Sequence, residues 1–150
     1  MTLSYFDSSP PLAIILDEDR KQEAYEYWHN AEIRCSSILL KIETTVVLRR
    51  FFEHNKDRLD GNWLNEKTKI LQEYLNEVNY YVINDEIERE IFLRKELSYC
   101  RALDAIHVAT ALKFKELDGV TDVLFYTFDN RMKTLSESFK FKTNKKIKES

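Results

Sequence analysis

The chain has 150 residues, 43% of them hydrophobic and 33% charged, which is apolar material for one core and too little length for two. Two Gly and two Pro stand against eight Tyr and nine Phe, and this excludes a low-complexity or disordered chain. The formal charge of −3 excludes a polybasic protein that coats a polyanion through bulk charge, so any such contact must be local.

Cys35 and Cys100 are the only cysteines, each among ordinary core-type neighbours. Neither a disulfide framework nor a cysteine zinc site is indicated, and free intracellular thiols are expected. Met1 to Asp7 has no basic leader, and no apolar run approaches the ~20 residues of a membrane helix. The expected location is the cytoplasm, with no membrane partner.

In chain order, Leu3 to Phe6 reads as a short strand ending on Asp7, followed by a proline-initiated helix start at Ser8-Ser9-Pro10-Pro11. Asp19 to Asn30 is rich in helix formers, and Ile33-Arg34-Cys35 is a brief strand stopping at Ser36-Ser37. From Ile38 to His54 apolar residues recur at three- and four-residue steps, with Glu43 inside that helix. Arg58 to Asn62 breaks the chain before a helix over Asn65 to Asn79. Tyr80 to Asn84 alternates like a strand, and Glu86 to Leu97 and Asp104 to Leu117 are helical, the latter with a narrow Ala105, Ala109, Leu112 face.

Val123 to Phe128 is nearly continuously apolar, as expected of a strand covered on both faces, and it too ends on an aspartate, Asp129. Asn130 to Phe139 returns as a helix. The lysine-rich residues after it hold a short edge strand and then a basic tail. Strands alternating with helices imply crossovers and a parallel sheet, hence an α/β class with a short sheet between helical layers. Ligands of such sheets gather beyond the carboxyl ends of the strands, where Asp7 and Asp129 fall.

Gly61 and Gly119 alone cannot write a phosphate loop or a dinucleotide fingerprint. His29, His54 and His107 lack metal-ligand spacing, which argues against histidine-centred zinc chemistry. Oxygen chemistry remains, carried by Asp7, Glu43, Asp104 and Asp129. Singly, each acid has an ordinary role: Asp7 as a turn residue, Asp104 and Asp129 as helix caps, Glu43 as a solvated helix residue.

Four separated motifs resemble those of the PIN domain: Tyr5-Phe6-Asp7-Ser8-Ser9, Ser37 with Glu43 six residues on, Arg101-Ala102-Leu103-Asp104-Ala105-Ile106-His107-Val108-Ala109-Thr110-Ala111, and Thr127-Phe128-Asp129-Asn130-Arg131. The most similar subgroup is the VapC-type toxins. The resemblance runs from about Leu3 to Phe141, with residues 1–142 expected as the PIN-like nuclease domain and 143–150 as the basic tail. It implies a PIN-like three-layer fold and places Asp7, Glu43, Asp104 and Asp129 in the family's acidic quartet, with Ser8 and Thr127 as supporting hydroxyls. It further implies a Mg²⁺- or Mn²⁺-dependent endoribonuclease, often acting on structured RNA such as tRNA, homodimeric and held inactive by a small antitoxin. The family often has a glycine before its last strand. Phe139-Lys140-Phe141 has none.

Electrostatics gives a separate reason to expect a cation. Two carboxylates 4 Å apart repel by about 4 kcal/mol at an effective dielectric near 20, so converging acids bind metal or take up protons. A small all-oxygen ligand set completed by water suits Mg²⁺ or Mn²⁺, with Asp7 and Asp104 as the main ligands and Glu43 and Asp129 orienting water or a second ion.

RNA approaching an acidic rim needs flanking cations, for which Arg49, Arg50, Arg131, Lys133 and the Lys140–Lys148 cluster are candidates. Tyr5 and Phe128 could stack on bases, although core packing is the ordinary role of such rings. Trp28 and Trp63 read as packing anchors. His107 shares the helix face of Asp104, and a hydrogen-bonded core histidine is the ordinary reading there. Apolar surface on the Ile38–His54 helix beyond one buried face suggests a dimer or antitoxin contact. Two other readings stay open: an RNA-processing nuclease without an antitoxin, and a catalytically silent RNA- or protein-binding module.

Overall fold

The computed structural model describes residues 1–144; Lys145, Lys146 and Lys148 of the expected basic tail lie outside the described residues. The strands are β1 (Thr2–Phe6), β2 (Arg34–Ser37), β3 (Val78–Tyr81), β4 (Asp122–Tyr126) and β5 (Lys142–Thr143). The helices are α1 (Ser9–Ile15), α2 (Lys21–Asn30), α3 (Leu39–Asn55), α4 (Trp63–Asn76), α5 (Asp85–Leu93), α6 (Ala102–Lys115) and α7 (Asn130–Ser138), with a 3₁₀ turn over Lys95–Tyr99. Every strand pairing is parallel and the sheet order is β3-β2-β1-β4-β5. This is the α/β sheet between helical layers that the alternation of elements predicts.

Two apolar clusters pack the two faces of the sheet. Tyr5, Val123 and Phe125 meet Ile87 of α5, Val108 and Leu112 of α6 and Met132 of α7 on one face. Phe6 meets Ala13, Trp28, Leu40, Leu48 and Leu71 from α1 to α4 on the other. Successive side chains of β1 therefore serve opposite layers, the period-two rule of a strand covered on both sides. Trp28 is fully buried and Trp63 stacks on Phe51, so both act as packing anchors.

Several boundaries differ from the sequence reading: β4 ends at Tyr126 and not Phe128, α6 begins at Ala102 and not Asp104, and three more have a plain packing cause. β3 starts at Val78, where the helix was expected to continue, because Val78 buries beside Leu71 and Leu75 while its backbone pairs with Arg34. Val82 and Ile83 leave the sheet and are exposed, since β2 ends opposite Tyr81. The expected helix over 86–97 breaks after Leu93, and the 3₁₀ turn is pinned by buried Leu97.

The edge strand exists at Lys142–Thr143, so the boundary expected between 142 and 143 falls inside it, and Asn144 beyond it is buried. α7 ends in a Schellman arrangement: Phe141 N–H donates to Ser136 O and Lys140 N–H to Glu137 O. Lys140 holds the left-handed position with φ 68°, where a glycine carries no Cβ penalty.

Candidate active site

β1 and β4 are adjacent strands whose outgoing chains turn to opposite faces of the sheet, into α1 and α7. The gap between them is the crevice where parallel sheets place ligands. Their register pairs Phe6 with Tyr126, which sets the next residues, Asp7 and Thr127, side by side. Thr127 Oγ1 donates to Asp7 Oδ2 at 2.5 Å and accepts the Asp129 N–H at 3.0 Å. Ser9 donates to Asp7 Oδ1 twice, from its N–H at 3.0 Å and its hydroxyl at 2.6 Å. The Ser9 hydroxyl also accepts the Phe128 N–H at 2.9 Å, tying the two strand exits together.

Asp7 is only 5% exposed. Burial pushes its carboxyl above the usual carboxylate range, opposed by nearby His107 and by the hydrogen bonds from Ser9 and Thr127. A desolvated carboxylate held by neutral donors is a group that a cation would stabilise strongly.

Asp129 divides its oxygens between two tasks. Oδ1 caps α7 by accepting from Arg131 N–H and Met132 N–H, and Oδ2 lies 3.4 Å from Arg101 Nη2. The ordinary capping role is thus real for Asp129 and leaves one oxygen facing the rim. Asp104 is not a cap. Arg101 occupies that position of α6, and Asp104 lies in the first helical turn, 8% exposed, with Oδ2 3.3 Å from Arg101 Nε.

Glu43 reaches the rim from α3, whose Leu40, Thr44 and Leu48 are buried. Its Oε1 is 2.5 Å from His107 Nε2, and His107 Nδ1 is 2.7 Å from the Tyr5 hydroxyl. Burial holds the Tyr5 phenol well above its ordinary pKa, so it stays protonated in this contact. Ser37 N–H donates to the Tyr5 oxygen at 3.2 Å, and Tyr5 and His107 link the end of β2 to the Glu43 carboxylate by hydrogen bonds.

Asp7, Glu43, Asp104 and Asp129 line one cavity of about 130 Å³, together with Ser8, Ser9, Arg101, His107 and Met132. Acids drawn from β1, α3, α6 and the start of α7 therefore face a common space at the switch point. The family description that matches this sequence is the PIN domain, over residues 4–137. The chain belongs to the PIN domain family. No curated protein matches it.

PIN domains are generally nucleases that work with divalent metals such as Mg²⁺. The donor set of this PIN domain fits such an ion: the cavity wall offers carboxylate and hydroxyl oxygens and no thiolate, and it has room for several waters at about 30 Å³ each. Among the described residues no three acidic, histidine or cysteine side chains already converge as ligands on one point. Arg101 spans Asp104 and Asp129, and His107 holds Glu43. An ion there would draw part of its shell from water, as Mg²⁺ ordinarily does.

The hydroxyls that donate to Asp7 are those of Thr127 and Ser9. Ser8 lines the cavity but makes no side-chain capping bond to α1. The Ser9 contact has a sequence signal, since an aspartate commonly accepts the N–H two residues on. Arg101, three residues before Asp104, follows the spacing of helical ion pairs and was legible in the same way.

Among the candidate cations, Arg49 and Arg50 are exposed on α3 but do not line the acidic cavity. Arg131 is exposed beside it. Lys133 corrects the expectation of a phosphate contact: it is buried, and its ammonium donates to the Asn144 carbonyl, so it fastens α7 to the chain beyond β5. Lys142 pairs with Asp122 at 2.9 Å. Tyr5 is buried, and the Phe128 face is covered by the Arg20 guanidinium at 3.8 Å, so neither ring is open to a base. Cys35 and Cys100 are free thiols, and no helix among the described residues is long and apolar enough to cross a membrane.

Proposed function

We propose that this PIN domain is a divalent-metal-dependent endoribonuclease acting in the cytoplasm, the toxin of a type II toxin–antitoxin pair. The observation that carries the nuclease reading is the convergence of Asp7, Glu43, Asp104 and Asp129 on one cavity at the β1–β4 switch point. Asp7 and Asp104 would hold Mg²⁺ or Mn²⁺, directly or through water. When bound, the ion supplies Lewis acidity, acidifying water and neutralising charge on phosphate oxygens.

The protein's own groups supply the rest. Thr127 and Ser9 fix the Asp7 carboxylate in one rotamer, and a fixed ligand loses no further freedom as charge develops. Glu43, with Oε1 held by His107, keeps Oε2 to orient the attacking water and take its proton. Asp129, braced by its capping bonds, orients water or a second ion from the opposite wall.

The toxin role rests on the likeness of the four motifs to VapC-type proteins. A homodimer and a small antitoxin are the partners it expects, and exposed Ile42 and Val46, four apart on α3, offer apolar surface for one of them. Purified protein incubated with total RNA and Mg²⁺, against an EDTA control, tests the chemistry, and sequencing of new ends identifies the RNA, tRNA included. Cleavage that depends on metal and is lost in Asp7→Asn supports the enzyme; a folded wild type without activity leaves the silent module. Growth arrest by the chain expressed alone, relieved by Asp7→Asn, supports the toxin, and cleavage without arrest points to RNA processing.

A further inference from the structure

The peptide between Tyr126 and Thr127, at the end of β4, is held from both sides. The carbonyl and N–H of a trans peptide point in opposite directions. Here the Tyr126 carbonyl accepts the Asp7 N–H at 3.2 Å on the β1 side, and the Thr127 N–H donates to Asn144 Oδ1 at 3.0 Å on the β5 side. We propose that Asn144 is a positioning residue of the acidic site, which sets the Thr127 hydroxyl between Asp7 and Asp129 by fixing this peptide. The inference rests on the nuclease reading and adds to it a residue that none of the four motifs contains.

The backbone ladder between β4 and β5 is short, pairing Leu124 with Lys142 and Phe125 with Thr143. It stops before the strand exit that carries the site, and the Asn144 side chain supplies the next acceptor in its place. Asn144 is 4% exposed, and its own carbonyl accepts the buried Lys133 ammonium of α7. Lys133 N–H in turn donates to the Asp129 carbonyl at 2.9 Å. Asp129, Lys133, Asn144 and Thr127 thus form a closed circuit, completed by the 3.0 Å bond from Asp129 N–H to Thr127 Oγ1.

What the circuit fixes is the direction of one hydroxyl. Thr127 is β-branched and buried, so its side chain has little rotamer freedom and follows its backbone. The same oxygen donates to Asp7 Oδ2 and accepts the Asp129 N–H, so a tilt of the peptide misaligns both acids together. Asn144 does not line the acidic cavity, and its loss alters the geometry of the acids without removing a contact to substrate. Partners that orient a ligating carboxylate are worth about 10- to 100-fold in metal affinity or activity. Asn144 acts through Thr127, which places its effect at the lower end of that range.

The test compares wild type with Asn144→Ala, Asn144→Asp and Thr143→Ala, with circular dichroism to verify folding. Asn144→Asp keeps an acceptor oxygen in either protonation state, and Thr143→Ala cuts the bond to Glu137 on the same edge strand while leaving Asn144 in place. In metal-free protein, hydrogen exchange at the Thr127 amide, followed by NMR, should be about tenfold faster in Asn144→Ala and near wild type in the other two. Mn²⁺ affinity in isothermal titration and the turnover number for RNA should each fall about tenfold in Asn144→Ala, with KM for RNA unchanged. Asn144→Asp should recover most of both losses.

Losses of equal size in Thr143→Ala make the edge strand a general fastener and overturn the inference. A faster Thr127 amide in Asn144→Ala with Mn²⁺ affinity and turnover unchanged overturns it too, as does an Asn144→Asp no better than Asn144→Ala. If Asn144→Ala does not fold, Lys133→Met, which withdraws the ammonium from the Asn144 carbonyl, takes its place with the same expected effects. A wild type that binds Mn²⁺ and cuts RNA beside an Asn144→Ala that equals it removes this inference and leaves the nuclease. A wild type that neither binds Mn²⁺ nor cuts RNA removes both.

Discussion

Glu43 and His107, 64 positions apart in the chain, meet at 2.5 Å between Oε1 and Nε2, and through this contact a carboxylate on α3 is oriented by a helix from the other face of the sheet. His107 is 2% exposed and hydrogen-bonded at both ring nitrogens, so it is a satisfied core histidine whose satisfaction positions a rim acid. His107→Gln should lower the turnover number for RNA about 10- to 100-fold, the usual cost of losing a partner that orients a ligand, with little change in KM. Steady-state kinetics on folded protein decides this; an unchanged turnover number would show that Glu43 needs no such support.

Asp7 sets stability against function. Burial raises its folded-state pKa above the unfolded value, so at neutral pH the ionised carboxylate costs stability. That cost is relieved as pH falls through the folded pKa and is absent below the unfolded one. In metal-free buffer at neutral pH, Asp7→Asn should therefore melt higher than wild type, by about 3 °C for a gain near 1 kcal/mol, and the gap should close on acidification. Thermal melts at several pH values check the sign, and a lower melting temperature for Asp7→Asn at neutral pH refutes it.

Arg101 stands as an internal cation between Asp104 and Asp129. Its guanidinium is well exposed, so each pair is worth only about 0.2–1 kcal/mol. An incoming ion must displace or share these contacts. Arg101→Gln should tighten Mg²⁺ binding about fivefold in isothermal titration, given two such pairs, and weaker binding would mean that Arg101 organises the site instead of competing for it.

Lys140 occupies a left-handed position at φ 68° at the end of α7. Lys140→Gly removes the Cβ conflict at the cost of a more flexible unfolded chain, for a net gain of about 0.5 kcal/mol. Chemical denaturation measures it directly. A loss of stability would show that the Lys140 side chain contributes more than its backbone conformation costs.

The regular elements were legible because they rest on local rules. Alternation and apolar runs marked the strands, three- and four-residue steps marked α3, and proline at the first helical positions marked α1. Boundaries were missed where nothing local signals them. The junction of α4 and β3 has neither glycine nor proline, and Val78 joins the sheet because Arg34 and a buried cluster await it. Lys133 looked like a free cation until the chain beyond β5 brought a carbonyl to it.

The same division holds at the site. The sequence by itself determined the parallel α/β class and which acids were worth watching, because side-chain periodicity and chemical type are properties of the chain. Tertiary structure alone decided that Thr127 holds Asp7, that Ser9 ties the exit of β1 to Phe128, that Arg101 reaches Asp129 as well as Asp104, and that Tyr5 and His107 orient Glu43. Those facts depend on which residues, far apart along the chain, come within hydrogen-bond reach, and strand register and helix packing fix that distance only once the whole sheet is assembled.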